Sequence, residues 1–201
     1  MRMWKCAAAL WLACMAQTAG AGTLLVLGDS ISAGFGLDTS RGWVALLQQR
    51  LRAEGYADTV VNASITGDTS ANARARLQPL LAQTRPDLVI VELGGNDGLR
   101  GQPPAQLQQN LTWIIDQAKG QGAKVLLLGV PLPPNYGAPY INAFSRVFQQ
   151  VADDRQVPLV PSLLDGVGGV PELMQADGIH PKAEAQPRLL ENVWPALKPL
   201  L

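Results

Sequence analysis

Metal ligands and disulfide partners are scarce in this sequence, which has two cysteines and one histidine among 201 residues. Cys6 and Cys14 both lie in an N-terminal stretch with the pattern of a cleaved leader. We therefore expect the mature protein to have no disulfide, no cysteine nucleophile and no thiolate metal site. Its stability has to come from an apolar core, for which a hydrophobic content of 47% is adequate.

An excess of charge of one sign is missing as well. Sixteen lysine and arginine residues balance sixteen aspartate and glutamate residues. Proteins that bind nucleic acid or anionic lipid usually present a strongly basic surface, which this composition does not favour. We therefore expect no nucleic-acid partner and no stable membrane anchor, and we expect a monomer that acts on a small molecule.

The N-terminus has the pattern of a targeting segment. Arg2 and Lys5 give it a positive start, residues 7–16 form an apolar core, and Ala19-Gly20-Ala21 offers small residues for cleavage. Because the apolar core is too short to span a bilayer, the pattern predicts a cleaved signal peptide over residues 1–21. A short buried helix and a lipoprotein leader ending at the second cysteine are the alternatives. Export is expected, to the periplasm first and beyond the cell as the alternative.

Apolar runs alternate with amphipathic segments along the rest of the chain. A short apolar run bounded by glycine or proline is typical of a strand covered on both faces. Strands that alternate with helices indicate a parallel sheet with right-handed crossovers. We predict a single α/β domain over residues 22–201, with three α/β/α layers around a five-stranded parallel flavodoxin-like sheet. The predicted strands are 24–27, 59–63, 87–93, 124–129 and 157–160, and the predicted helices are 43–51, 103–119 and 141–152, with two more ending at Leu81 and Trp194.

Polar residues and glycines follow the first three predicted strands. Ser30 follows the first strand, Gly67 the second and Asn96 the third. In a flavodoxin-like order these strands are neighbours, so their loops converge where the strand order reverses. The single histidine lies in Asp177-x-x-His180, a spacing that lets one tight turn set the carboxylate against the imidazole and leaves the far nitrogen for Ser30. The backbone amides of Ser30 and Gly67 and the side chain of Asn96 would then bind an oxyanion.

At these positions the sequence resembles the GDSL or SGNH hydrolases. The four sequence blocks of that family are matched in order by Gly28-Asp29-Ser30, Gly67, Gly94-Gly95-Asn96-Asp97 and Asp177-x-x-His180. Three longer stretches, 62–70, 92–101 and 177–181, are similar to the secreted bacterial branch of multifunctional thioesterases, lysophospholipases and arylesterases.

The resemblance implies the SGNH hydrolase fold and a serine esterase. Because the mature chain has no cysteine and only one histidine, we expect that it needs no metal and no cofactor. It implies Ser30 as nucleophile, His180 as base and Asp177 as the partner of that base. It also implies an oxyanion hole made of Ser30, Gly67 and Asn96. The expected substrates are acyl esters, thioesters or lysophospholipids, cleaved with broad specificity.

Two loops at the same edge of the sheet are expected to form the substrate groove. Both mix glycine and proline with apolar residues, which suits an acyl or aryl group in a shallow and partly open site. The predicted groove residues are Leu99, Arg100 and Gly101 after the third strand and Leu132, Pro133 and Tyr136 after the fourth.

Other functions remain open at this point. A metal-dependent phosphohydrolase would use Asp29, Asp97 and Asp177 around Mg²⁺, but it leaves Ser30 and the histidine without a role. A carbohydrate acetylesterase of the same fold and a non-catalytic flavodoxin-like binding module are further alternatives. An α/β-hydrolase is disfavoured because Gly-x-Ser-x-Gly is absent. Asp29 and Asp97 are interpreted as structural residues in Asx turns, and Glu92 is assigned no role.

Overall fold

The computed structural model describes residues 21–201, so all but the last residue of the predicted signal peptide lies outside the described residues. The described chain folds around one sheet of five parallel strands in the order β2-β1-β3-β4-β5. This order confirms the predicted flavodoxin-like sheet. The strands are β1 (Thr23–Gly28), β2 (Thr59–Asn62), β3 (Leu88–Glu92), β4 (Lys124–Leu128) and β5 (Leu159–Val160).

Seven α-helices are found among the described residues and cover both faces of the sheet. They are α1 (Ser30–Ala33), α2 (Trp43–Ala53), α3 (Ser70–Thr84), α4 (Gly95–Leu99), α5 (Pro104–Gly120), α6 (Ala138–Arg155) and α7 (Gln186–Leu197). One apolar core lies between the sheet and helices α2 and α7, and a second lies between the sheet and helices α3, α5 and α6. Within residues 21–201, none of the helices is long and apolar enough to cross a membrane.

The central strands β1 and β3 are buried on both faces because nearly all of their residues are apolar. Leu25, Val26 and Leu27 in β1 have no exposed surface, and neither has any residue of 89–92 in β3. Burial of this kind is what a parallel sheet between two helical layers requires. The strand β2 lies at the edge and is only half-buried.

Two short helices stand where the sequence predicted loops. One residue separates α1 from β1, and two residues separate α4 from β3. α1 has four residues and α4 has five. Helices of this length are too short for an apolar repeat to be visible in the sequence. Their consequence is geometric, because each places its first residues at the carboxyl edge of a central strand.

Candidate active site

The turn that carries Ser30 joins β1 to α1. Asp29 caps the short helix, since its Oδ1 accepts a hydrogen bond from the backbone N–H of Ile31 at 3.0 Å. Gly28 has to be glycine, because a Cβ atom there would lie 2.7 Å from the Cβ of Ser32. The turn therefore packs closely on its neighbours and sets Ser30 at the carboxyl edge of the sheet, where that residue is 7% exposed.

His180 meets Ser30 across a separation of 150 residues in the sequence. The imidazole Nε2 lies 2.8 Å from the Oγ of Ser30, and Nδ1 lies 2.6 Å from the Oδ2 of Asp177. The Oδ1 of Asp177 accepts hydrogen bonds from the backbone N–H groups of Ile179, at 2.9 Å, and His180, at 3.0 Å. A tight turn thus sets the carboxylate against the ring, and the three side chains form one hydrogen-bonded chain.

The charge of Asp177 is well stabilised in this turn. Burial opposes ionisation, but hydrogen bonds from the imidazole and from the two backbone N–H groups lower the pKa of Asp177 to about 2. A carboxylate only accepts hydrogen bonds, so the Nδ1 of His180 donates to it. In the neutral imidazole, Nε2 then has no proton and faces the Ser30 hydroxyl. The ring of Phe35 packs on the imidazole with the centroids 4.4 Å apart.

Asn96 reaches the same edge from the first turn of α4. Its Nδ2 donates to the Oδ2 of Asp29 at 3.1 Å and to the carbonyl oxygen of Asp68 at 3.0 Å. These two bonds use both hydrogens of the side-chain amide. Asp29 therefore does more than cap α1, because it also holds Asn96 beside Ser30.

Gly67 lies in the turn between β2 and α3. Its φ of 83° is a left-handed conformation that favours glycine. The guanidinium of Arg100 donates to the carbonyl oxygen of Gly67 at 3.0 Å, which fixes the peptide. Among residues 21–201, no backbone hydrogen bond uses the N–H of Ser30 or of Gly67.

The aspartates that a metal site would have needed are engaged elsewhere. Asp97 accepts a hydrogen bond from the backbone N–H of Ser70 at 2.8 Å, and Asp177 holds the histidine. Asp29 is 2% exposed, and burial, more than any other effect, raises its pKa to about 6. In the part of the chain that the structure describes, no three histidine, cysteine or acidic side chains are placed to hold a metal ion.

Residues 26–187 match the model of the GDSL-like Lipase/Acylhydrolase family. The chain is 64% identical over its whole length, and over the whole length of the relative, to esterase TesA of Pseudomonas aeruginosa. It is 45% identical to thioesterase 1/protease 1/lysophospholipase L1 of Escherichia coli strain K12, an alignment that covers 92% of this chain and 88% of the relative. The chain belongs to the GDSL family.

A solved structure agrees with this assignment. The crystal structure of TesA superposes with a TM-score of 0.88 at 68% identity, covering 89% of this chain and 99% of the other. The protein is thus a GDSL hydrolase with an SGNH-type α/β fold, and it is an enzyme that cleaves carboxylic esters.

A cavity of about 620 Å³ opens beside Ser30 in the GDSL hydrolase. Three of the predicted groove residues, Leu99, Leu132 and Pro133, line it. The other three, Arg100, Gly101 and Tyr136, are not part of its lining. Arg100 bonds to the Gly67 carbonyl, Gly101 lies in the turn after α4, and the Tyr136 hydroxyl donates to the Leu99 carbonyl at 2.9 Å.

Sequence reasoning missed another wall of the cavity. That wall comes from the loop after β5, and its residues include Ser162, Leu164, Asp165, Gly166, Gly168, Gly169 and Met174. Its glycine-rich composition marked it only as a loop. The signal that could have found it is the chain order, since this loop leads directly into the turn that carries His180.

Proposed function

We propose that this GDSL hydrolase is a serine esterase of broad specificity, which cleaves acyl esters and thioesters through Ser30, His180 and Asp177. One observation carries the proposal, the unbroken hydrogen-bonded chain from the Ser30 Oγ through both imidazole nitrogens to the Asp177 carboxylate. Nucleophile, base and orienting acid in that geometry are what acyl transfer requires.

The reaction proceeds in two halves. The Oγ of Ser30 attacks the carbonyl carbon while the Nε2 of His180 takes the hydroxyl proton, and the ionised Asp177 stabilises the resulting imidazolium. Collapse of the tetrahedral intermediate breaks the bond to the alcohol or thiol, which leaves with the proton from Nε2. Water then attacks the acyl-enzyme by the same route and releases the carboxylic acid.

The oxyanion would be bound by the backbone N–H groups of Ser30 and Gly67 and by the side-chain amide of Asn96. Both backbone donors are free of internal backbone partners, which supports this assignment. Asn96 has to redirect one N–H from Asp29 or Asp68 to join them, since both of its hydrogens are bonded in the resting arrangement.

The proposed substrates have an apolar acyl or aryl part. Leucines, prolines and a methionine line the cavity beside Ser30, and no lysine or arginine lies in that lining. The relatives are named esterase, thioesterase and lysophospholipase, which fits an acyl group held by the cavity and leaving groups of several kinds. We further propose that the enzyme is exported to the periplasm after loss of residues 1–21 and acts as a monomer without a metal or cofactor.

A fluorophosphonate tests the proposal directly. Intact-mass analysis is expected to show one covalent adduct on the mature protein, mapped to Ser30, and Ser30→Ala is expected to lose both the adduct and several orders of magnitude in turnover. EDTA is expected to leave esterase activity unchanged. A Ser30→Ala enzyme of full activity, or activity lost to EDTA and restored by Mg²⁺, would contradict the proposal.

A further inference from the structure

Glu92 is a fully buried acid at the end of β3, directly opposite Gly28 in the register of β1 and β3. No basic group among residues 21–201 forms an ion pair with it. Burial, and then the nearby charge of Asp29, raises the pKa of Glu92 well above its usual range. Glu92 therefore keeps its proton more readily than an exposed glutamate does.

The carboxyl group of Glu92 accepts hydrogen bonds from residues on either side of Ser30 in the β1–α1 turn. Its Oε2 accepts a hydrogen bond from the Oγ of Ser32 at 2.6 Å and a longer one, at 3.4 Å, from the backbone N–H of Asp29. The indole Nε1 of the buried Trp43 donates to the same Ser32 oxygen at 3.2 Å. Asp29, just before Ser30, and Ser32, two residues after it, are thus both hydrogen-bonded to the buried Oε2 of Glu92.

The space for this carboxyl group is kept clear by the neighbouring strand. A Cβ atom at Gly28 would lie 2.8 Å from the Oε2 of Glu92. That clash gives Gly28 a second reason to be glycine, apart from its contact with Ser32.

Stability alone does not explain an acid at this position. The second oxygen of Glu92, Oε1, is buried and has no hydrogen-bond partner among the described residues. An orphaned buried oxygen costs free energy that a leucine would not cost. What the acid provides, and a leucine would not, is the pair of hydrogen bonds to the turn that carries Ser30.

We propose that Glu92 is a positioning residue for Ser30: its carboxyl group fixes the β1–α1 turn so that the Ser30 hydroxyl stays in line with His180. The inference rests on the proposed role of Ser30 as nucleophile. It concerns the placement of Ser30 and not contact with substrate. A nucleophile displaced by about 1 Å can lose about 10²-fold in rate while binding is little changed.

The test compares three variants with the full-length mature enzyme. Glu92→Gln keeps a hydrogen-bond acceptor on a side chain of the same shape, and Glu92→Leu removes the acceptor at similar volume. Leu128→Ala damages the core at the paired position of the next strand. kcat and KM are measured with p-nitrophenyl butyrate, the rate of inactivation with a fluorophosphonate, and Tm by calorimetry.

We expect Glu92→Leu to lower kcat by about 10²-fold with KM within about threefold, and the fluorophosphonate rate to fall in step. Glu92→Gln is expected to restore kcat to within about fivefold of the wild type, while Leu128→Ala lowers Tm and leaves kcat unchanged. A wild-type kcat in Glu92→Leu, equal losses in the Gln and Leu variants, or an equal loss in Leu128→Ala would each overturn the inference.

Ser32→Ala decides the question if Glu92→Leu does not fold. It removes the shorter hydrogen bond to Glu92 from the other side, and we expect a lower kcat, by about 3- to 10-fold, at unchanged KM. An unchanged kcat would overturn the inference. Failure of the proposed function is distinguishable, because then the fluorophosphonate would not label Ser30 in the wild-type enzyme.

Discussion

Asn96 lies beside Ser30 with one amide hydrogen on the Asp29 carboxylate and the other on the Asp68 carbonyl. An oxyanion that develops near it is a stronger acceptor than a neutral carbonyl, so one hydrogen bond can be exchanged for a better one as negative charge appears. The neutral carbonyl oxygen of the bound substrate competes less well than the oxyanion for the amide hydrogens of Asn96. The contribution of Asn96 should therefore be realised in the transition state more than in substrate binding.

We expect Asn96→Ala to lower kcat by about 10²- to 10³-fold with little change in KM, as for other side-chain oxyanion donors. Steady-state kinetics with p-nitrophenyl butyrate measure both constants. Asn142→Ala, on the exposed face of α6, is the matched control and should behave like the wild type. If Asn96→Ala raises KM and leaves kcat intact, then Asn96 binds substrate and is not an oxyanion donor.

At the residue scale, the sequence predicts those side chains whose position depends on local pattern. Ser30 follows an apolar strand, and Asp177 and His180 share one turn. That the histidine lies close to Ser30 follows once both segments are placed at the same edge of the sheet. The contacts of Asp29 with Asn96 and of Glu92 with Ser32 depend on how β1 and β3 align and on which atoms then face each other. Spacing along the chain does not contain that information.

At the scale of elements, strands and long helices are predictable because a period of apolar residues runs through them. The alternation of strands and helices predicted a parallel sheet, and its flavodoxin-like order was the hypothesis under which the loops of the site converge. α1 and α4 were missed because they are shorter than two turns, and the cavity wall from 162–169 was missed because glycine and small residues have no periodic signal. The missed pieces all lie at the carboxyl edge, where the chain forms the site.

The wall of the cavity depends on a close contact between α4 and the loop after β4. A Cβ atom at Gly98 would lie 2.3 Å from a methyl carbon of Leu132, so the leucine is seated directly on the helix. Leu99, the next residue of α4, lines the same cavity. An acyl chain bound there exchanges water for these two side chains.

We expect Leu132→Ala and Leu99→Ala to reduce kcat/KM for long acyl esters more than for acetyl esters. Each methylene that is no longer buried should cost up to about 0.8 kcal/mol, so the loss grows with chain length. A p-nitrophenyl ester series from acetate to decanoate measures this slope.

Leu81→Ala is the control for that series, because Leu81 is a fully buried leucine of α3 that lies in the core and does not line the cavity. It should lower stability and leave the dependence on chain length unchanged. If both cavity variants slow all chain lengths alike, the acyl chain lies elsewhere. If the wild-type enzyme cleaves only acetyl esters, the alternative of a carbohydrate acetylesterase is favoured.

At the scale of the whole molecule, two apolar cores lie on either side of the sheet, and two acids, Asp29 and Glu92, are buried at its carboxyl edge. Burial disfavours their charged forms. An acid with a higher pKa in the folded than in the unfolded state makes the folded protein bind more protons. The free energy of unfolding then falls as pH rises through that interval. For Asp29 the interval runs from 3.8 to about 6, and about 1.4 kcal/mol per pKa unit gives a loss of about 3 kcal/mol. Glu92 adds a loss of the same sign.

We therefore expect the free energy of unfolding to be greatest near about pH 4 and to fall as pH rises to about 6. The opposite shift of Asp177, to about 2, contributes stability that is complete above its unfolded value of 3.8 and lost only in stronger acid. Urea denaturation at half-unit steps of pH measures the curve. Glu92→Gln should make the fall shallower, because its neutral amide carries no ionisation cost, whereas the exposed Glu172→Gln should not. A curve that is flat or rises between about pH 4 and 6, or an unchanged slope in Glu92→Gln, would show that the buried acids ionise without cost to the fold.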